Sequence, residues 1–323
     1  IFASLSIVST LLLLLVSKNS WAIASILFSI SVLGFMLSNV FYDSMIMDFK
    51  DNIIEKNSIS SYGYAFGYLG GGIAFILAIL IILYGDQNIE IIANKKISFL
   101  IAAIWWLLFM IPLVFYWNES KNTSNNDISS LKKTYFDILN NKLIFYFLLS
   151  YWVYIDGVDT IIRMVVNYGI TLGFSQNDLL LALLLVQFVS FPGTLMINSF
   201  ANKLGTEIGI VICIISYLLI SVFAALIDTL MGFYTIAAFI GLVQGGIQAL
   251  SRSYFSSIIP KSRDSEFFGV YNMLGKFAAL VGPLLVGLST YLTDDSRFGI
   301  LSISILFIVG LYLMIKVRSI NTH

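Results

Sequence analysis

The sequence predicts an all-α polytopic membrane protein. Hydrophobic side chains make up 59% of its 323 residues, charged residues make up only 11%, and the mean hydropathy is +0.92. A soluble domain is about 25% charged, and a water-soluble fold of this composition would expose apolar patches larger than monomers tolerate. Continuous apolar runs such as 11–15 and 179–186 favour helices over the alternating strands of a barrel.

The charged and reactive residues exclude several other classes of protein. Lysine and arginine number 18, aspartate and glutamate also number 18, and the net charge of zero provides no overall field for nucleic acid. The single cysteine is Cys213 and the single histidine is His323, so the sequence predicts no disulfide framework, zinc site or Cys/His catalytic pair. We therefore expect no cofactor, no metal and no enzymatic activity.

Ten apolar runs approach the length needed to cross a membrane. A bilayer core about 30 Å thick requires about 20 apolar helical residues. The predicted spans are 1–16, 21–43, 63–84, 98–117, 143–169, 179–200, 207–227, 231–252, 266–291 and 298–317. The longest polar stretch, 118–142, is rich in Asn, Ser and Lys, which predicts a flexible linker between two bundles.

The positions of lysine and arginine predict the orientation in the membrane. If the linker is cytoplasmic, twelve of the basic residues between spans lie on its side and four lie on the other side. Cytoplasmic loops carry this kind of excess. The sequence therefore predicts a cytoplasmic linker and a cytoplasmic C-terminus.

A weak internal repeat suggests that the chain derives from two halves of six spans. A charged loop precedes a helix predicted to start near Gly63, and a similar loop, 260–266, precedes a helix predicted to start near Gly269, 206 positions later. These two helices are six spans apart, as a parallel repeat requires. Two complete halves need roughly 412 residues, so we expect that about 90 residues, or two spans, are missing before residue 1.

Three stretches carry a more specific signal. They are 60–72 (SSYGYAFGYLGGG), 241–253 (GLVQGGIQALSRS) and 275–287 (GKFAALVGPLLVG). Together with the two bundles and the central linker, they resemble the vacuole-effluxer-like branch of the major facilitator superfamily, which groups fungal autophagy-related effluxers with bacterial transporters.

The resemblance implies a major facilitator fold in which about ten of twelve helices are present. Residues 1–117 would be a remnant of the N-terminal bundle, with family spans three to six. Residues 118–142 would be the cytoplasmic linker, and residues 143–323 would be the C-terminal bundle, with spans seven to twelve. The implied function is secondary transport of a small polar metabolite, such as an amino acid, by alternating access. The compact loops favour a bacterial inner membrane.

One loop departs from the superfamily pattern. Members carry a Gly-x-x-x-Asp-Arg type loop between spans two and three, with a weaker copy between spans eight and nine. The second copy corresponds to 198–205, where Asn202 replaces the acidic residue and Lys203 replaces arginine. The sequence therefore gives no support for a strong charge contact at that gate.

The resemblance also suggests which polar residues line a central cavity, because spans one, four, seven and ten surround it in this superfamily. A charge in hydrocarbon costs at least about 2.5–3.5 kcal/mol, so it should face a cavity or a partner. The candidates for substrate or proton handling are Asn39 and Asp43 on span four, Asp156, Asp159 and Arg163 on span seven, and Gln244 and Gln248 on span ten.

The seventh span gives the sharpest hypothesis. Asp156, Asp159 and Arg163 are spaced i, i+3 and i+7, which places them on one helical face. Asp159 and Arg163 are four residues apart and can pair, which leaves Asp156 as a carboxylate with no predicted partner in its own helix. Such a carboxylate can take up and release a proton. The alternative is a buried network that only holds the helix in place.

The remaining candidates each have two interpretations. Gln244 and Gln248 either bind a polar solute or join helices. Lys276 either attracts an anion or extends to the membrane surface, and Asp43 is either a site acid or an interfacial one.

Gly63, Gly67 and Gly71 form a small-xxx-small stripe for close helix approach, either at a moving interface or in static packing. Arg252, with Lys203 and the charges at 261–266, is a candidate gate residue, and a solvated loop is the alternative.

The sequence thus predicts a monomeric transporter that interacts with a small solute, the lipid bilayer and, in one version, protons. A uniporter or exchanger with purely structural acids is the nearest alternative. A non-transporting membrane receptor or scaffold is the alternative from another class, although the 25-residue linker is the longest loop available for docking.

Overall fold

A computed structural model describes residues 1–17, 19–49, 52–84, 91–116, 128–278 and 280–321. These residues form helices and no strand. The helices are α1 Phe2–Leu12, α2 Trp21–Ser44, α3 Ile53–Tyr84, α4 Ile91–Tyr116, α5 Ile128–Asn140, α6 Lys142–Thr171, α7 Gln176–Leu204, α8 Thr206–Ala224, α9 Leu230–Ile258, α10 Asp264–Phe277, α11 Val281–Thr293, α12 Ser296–Ser302 and α13 Ser304–Asn321. The predicted all-α polytopic class is confirmed.

The helices account for the predicted spans. In the described ranges, eight helical segments are long and apolar enough to cross a membrane, and the bent pair Lys132–Asn140 plus Lys142–Thr171 makes a ninth. The first predicted span is the shorter apolar helix Phe2–Leu15. Two spans are interrupted: α10 and α11 form one, and α12 and α13 form the other.

The contacts group the described residues into two units, and the boundary divides α3. The first unit comprises residues 1–43 and 70–123, and the second comprises residues 44–69 and 124–323. The beginning of α3 therefore packs with the C-terminal helices, although it belongs to the predicted N-terminal region. The division into 1–117, 118–142 and 143–323 stays a prediction.

The first unit is held together by hydroxyl contacts between α1 and α2. Ser6 Oγ donates to the Ser31 carbonyl at 2.7 Å, and the hydroxyls of Thr10 and Ser31 are 2.8 Å apart. Lys96 Nζ on α4 donates to the carbonyls of Leu14 and Val16. These carbonyls follow α1 and would otherwise lack partners.

The core of the second unit is built on very close packing between α7 and α9. A Cβ atom on Gly193 of α7 would lie 2.6 Å from both Cα and O of Leu242 on α9. A Cβ on Gly245 of α9 would overlap Thr194 Oγ1 on α7. The glycines therefore allow the two backbones to approach to a distance that no other residue permits.

The second half of the predicted linker contains a helix. Residues 128–140 form α5, and a bend of 97° at Asn141 separates it from α6. Thr134 and Ile138, one turn apart, are buried, and Arg263 pairs with Asp137. The polar composition of residues 118–142 does not indicate that α5 has a buried face. Residues 118–127 lie outside the described part of the chain.

Candidate functional site

The first ten residues of α3 are helical, although the sequence predicts that the helix starts near Gly63. The helix was expected to start near Gly63, but it begins at Ile53 because the polar residues before Gly63 are buried and hydrogen-bonded. Lys56 Nζ donates to the Ser256 carbonyl in the last turn of α9, at 3.2 Å. A cation at this position offsets the partial negative charge of a helix C-terminus.

Asn57 is the centre of a neutral hydrogen-bond network that joins α3 to α7, α8 and α9. Its Nδ2 donates to Asn202 Oδ1 at 3.1 Å and to Thr206 Oγ1 at 2.9 Å, and its Oδ1 accepts from Ser253 Oγ at 2.6 Å. Asn202, the residue that replaces the superfamily acid, therefore has a role as an acceptor. The sequence gives no support for a charged contact in this loop, and the structure has a neutral hydrogen bond between Asn57 and Asn202 there.

Arg252 makes the second contact between α9 and α3. It is 4% exposed, its Nε donates to Ser60 Oγ at 2.9 Å, and its guanidinium lies 4.9 Å from the centre of the Tyr64 ring. Ser60 Oγ in turn donates to the Ala249 carbonyl. The predicted gate residue Arg252 is thus in contact with α3.

Two other predicted gate features lie elsewhere. Lys203 is exposed in the last turn of α7, where a basic side chain complements the helix dipole. On the glycine stripe, a Cβ added to Gly67 would meet no atom within 4 Å, Gly71 is exposed, and Gly63 is half-buried. The face of α3 that packs within the second unit carries Asn57, Ser60, Ser61 and Ala65. The role of the glycine stripe stays a prediction.

The Asn57 network predicts an asymmetric response to added charge. Asn57→Asp removes two donors and places an acid beside the acceptor Asn202 Oδ1, so we expect a clear fall in the unfolding temperature, equivalent to about 1–3 kcal/mol. Asn202→Asp preserves the acceptor that Asn57 uses, so its unfolding temperature should stay close to that of the wild type. Thermal unfolding in detergent would measure both, and equal losses would contradict the donor assignment.

Asp156 does not fit its description as an unpartnered carboxylate. It is 1% exposed and accepts from Val281 N at 3.1 Å, from Gly282 N at 3.0 Å and from Thr160 Oγ1 at 3.2 Å. Val281 and Gly282 are the first two residues of α11, and Thr160 belongs to the same helix as Asp156. The carboxylate therefore satisfies the free amides at the start of a half-helix.

Asp159 lies one turn further along α6 and has a different environment. It is half-buried, and the charges within interaction range of it are those of Arg163, Lys276 and Asp156. Lys276 is exposed and occupies the last turn of α10. Asp156 thus contacts the start of α11, whereas Asp159 lies within electrostatic range of Lys276 at the end of α10. The sequence-based span 266–291 treated α10 and α11 as one continuous helix.

Polar side chains from α3, α6, α8 and α9 lie near Asp159. We call it the polar cluster; its members are Tyr68, Asp159, Tyr217, Gln244 and Gln248. Tyr68 OH donates to Gln248 Oε1 at 2.7 Å and also hydrogen-bonds Gln244. Asp159 is within electrostatic range of both tyrosines.

Two atoms of the polar cluster are buried without a hydrogen-bond partner among the described residues: Gln244 Oε1 and Tyr217 OH. Gln244 is 6% exposed and Tyr217 is fully buried. Most buried polar groups in proteins are paired, so these two atoms mark a place where a polar partner can bind. Tyr68 and Tyr217 were absent from the predicted site, because tyrosine in an apolar run gives no distinguishing signal.

The other predicted cavity residues, Asn39 and Asp43, belong to α2 in the first unit. Asn39 is half-buried and Asp43 is 7% exposed. Arg163, the third residue of the predicted α6 face, is exposed. No group of three or more potential metal ligands was found among the described residues.

Comparison with known proteins identifies the family of the chain. Residues 1–321 match the family described as "Vacuole effluxer Atg22 like". The chain belongs to this family. Within it, the chain is 34% identical over 322 residues to a Bacillus subtilis protein named "Uncharacterized MFS-type transporter YxiO", covering 97% of this chain and 75% of that protein.

Fungal members of the Atg22-like family are more distant. Autophagy-related protein 22 of Vanderwaltozyma polyspora is 25% identical over 310 residues, which cover 84% of this chain and 58% of the yeast protein. The Kluyveromyces lactis protein is 24% identical over 311 residues, covering 86% and 60%. The chain thus spans less than two thirds of these fungal relatives.

Solved structures share the fold of this Atg22-like chain. A proton:xylose symporter, XylE, bound to 6-bromo-6-deoxy-D-glucose has a TM-score of 0.74 at 15% identity, over 98% of this chain and 78% of that one. A bacterial homologue of the iron transporter ferroportin in an outward-facing state has a TM-score of 0.65 at 13% identity, over 98% and 83%. The predicted major facilitator fold and family are both confirmed.

Proposed function

We propose that this member of the Atg22-like family is a secondary transporter that moves a small polar metabolite by alternating access. The observation that carries the proposal is the polar cluster with its two unpartnered buried atoms. Leaving a buried donor or acceptor without a partner costs about 1–3 kcal/mol. A ligand that pairs with Gln244 Oε1 and Tyr217 OH removes that cost when it binds.

The charges around the polar cluster favour a zwitterionic solute, such as an amino acid. Asp159 and Gln244 Oε1 accept hydrogen bonds and suit an ammonium group. Lys276 and Arg163, both within electrostatic range of Asp159, suit a carboxylate. The assignment of Asn39 and Asp43 to solute handling stays a prediction from the sequence.

We assign proton coupling, if it operates, to Asp159 in preference to Asp156. Both oxygens of Asp156 already accept backbone amides, whereas Asp159 is half-buried among groups of both charge signs. The Lys/Arg distribution supports a cytoplasmic position for the Asn57 and Arg252 contacts. In this proposal those contacts close the cytoplasmic side while α3 packs against the C-terminal helices.

Flux measurements in proteoliposomes test the proposal. Solute-dependent uptake should be detected in a panel of amino acids and small metabolites at two pH values, and Asp159→Asn and Gln244→Leu should reduce it at least about tenfold without lowering the unfolding temperature. Asp294→Asn, the same change at an exposed residue outside the cluster, serves as the control.

The same measurements separate the alternatives. A uniporter or exchanger would show flux of the wild-type protein that does not depend on a pH gradient. A receptor or scaffold would show no flux with any solute, and that result would overturn transport itself.

A further inference from the structure

We propose that α5 is a membrane-surface helix that binds the anionic lipid headgroups of the leaflet next to it. The chain bends by 97° at Asn141, where the Asn141 side chain caps α6 by accepting from Leu143 N and Ile144 N. Because α6 spans the membrane, a helix at nearly a right angle to it runs along the membrane plane.

The position of α5 is fixed on one side by the protein. Thr134 is 1% exposed and donates to Glu266, and Arg263 donates to both Thr134 and Asp137. Ile138 is 6% exposed, one turn beyond Thr134. These contacts attach α5 to the start of α10 and leave its opposite face uncovered.

The uncovered face combines aromatic and basic side chains. Tyr135 is 59% exposed, Phe136 is 60% exposed and Leu139 is 44% exposed. Lys132 and Lys133 are also exposed and lie on the same half of the helix. Large apolar side chains interleaved with lysines characterise helices that lie in the membrane interface, where the lysines contact anionic headgroups.

Neighbouring residues indicate the same depth in the membrane. Lys316 on α13 donates to Tyr146 OH at 2.8 Å, and its amine lies 4.0 Å from the centre of that ring. Tyr146 is in the second turn of α6, about 6 Å from its start, and tyrosine and lysine are enriched at the membrane–water interface. The corner beside it is an open surface lined by Asp137, Asn140, Asn141 and Lys142.

A fluorescence-quenching experiment tests both parts of the proposal. Cys213 is the single cysteine and is buried, so Cys213→Ala provides a background for labelling at one chosen site. A bimane label is attached to Phe136→Cys or, as the control, to Ser262→Cys, an exposed turn residue beside Arg263. Each protein is reconstituted in vesicles of one phosphatidylcholine–phosphatidylglycerol mixture, with brominated acyl chains carried by one lipid or the other.

The label at position 136 should be quenched, and brominated phosphatidylglycerol should quench about two- to fivefold more per lipid than brominated phosphatidylcholine. Adding Lys132→Gln and Lys133→Gln should bring that ratio close to one while quenching persists. The label at position 262 should stay unquenched. Quenching at 136 no greater than at 262 would overturn the membrane position, and a ratio unaffected by the two lysine changes would overturn the headgroup assignment.

Discussion

Asp156→Ala is expected to lower the free energy of unfolding by about 2–6 kcal/mol. The change removes the acceptor for the amides of Val281 and Gly282, and each buried amide left without a partner costs about 1–3 kcal/mol. Asp156→Asn keeps one carbonyl oxygen as an acceptor and should cost roughly half as much. Thermal unfolding of the purified variants in detergent measures both.

The same pair of variants decides what Asp156 does. If Asp156 positions α11, flux through Asp156→Asn should keep the wild-type pH profile at a temperature where the variant is folded. An altered pH profile would instead return Asp156 to the proton-carrying role that the sequence suggested. An unfolding temperature unchanged in Asp156→Ala would contradict the structural role.

Gly193→Ala is expected to prevent stable folding or to lower the unfolding temperature sharply. The added Cβ would collide with the Cα and O atoms of Leu242 at 2.6 Å, and backbone atoms cannot rotate away. Overpacking in a well-packed interior costs about 1–3 kcal/mol, and more where the backbone must shift. Size-exclusion profiles and thermal unfolding report the loss.

Gly67→Ala is the matched control for this change. It is also a glycine inside a long helix, but it is exposed and no atom lies within 4 Å of its Cβ position. Since alanine is about 0.5–1 kcal/mol more favourable than glycine in a helix interior, the variant should be as stable as the wild type or slightly more stable. If both alanine variants behaved alike, the close α7–α9 packing would be wrong.

The sequence was sufficient to predict the helices and the family because both depend on local signals. Apolar runs of about 20 residues and the stretches 60–72, 241–253 and 275–287 are visible without three-dimensional information. The break in span eleven had a local signal too, in Gly282 and Pro283 near the middle of an apolar run. The apolar residues on both sides of Gly282 and Pro283 instead predict one continuous span.

The partners of the polar residues could not be predicted from the sequence. Asp156 accepts from residues 125 and 126 positions away, and Asn57 bonds residues 145 to 196 positions away. Such pairs depend on how helices cross, and spacing along one helix contains no information about the crossing. For the same reason the close packing at Gly193 and Gly245 could not be predicted from the sequence.

The contact between α7 and α9 has a mechanical consequence. Helices separated by long side chains can slide past each other as those side chains change rotamer. In α7 and α9, by contrast, a Cβ on Gly193 would lie 2.6 Å from the Leu242 backbone, and a Cβ on Gly241 would lie 2.9 Å from the Val186 carbonyl oxygen. Neither helix can rotate or shift along its axis without steric overlap. We therefore expect α7 and α9 to move as a single rigid unit in any rearrangement of the C-terminal helices.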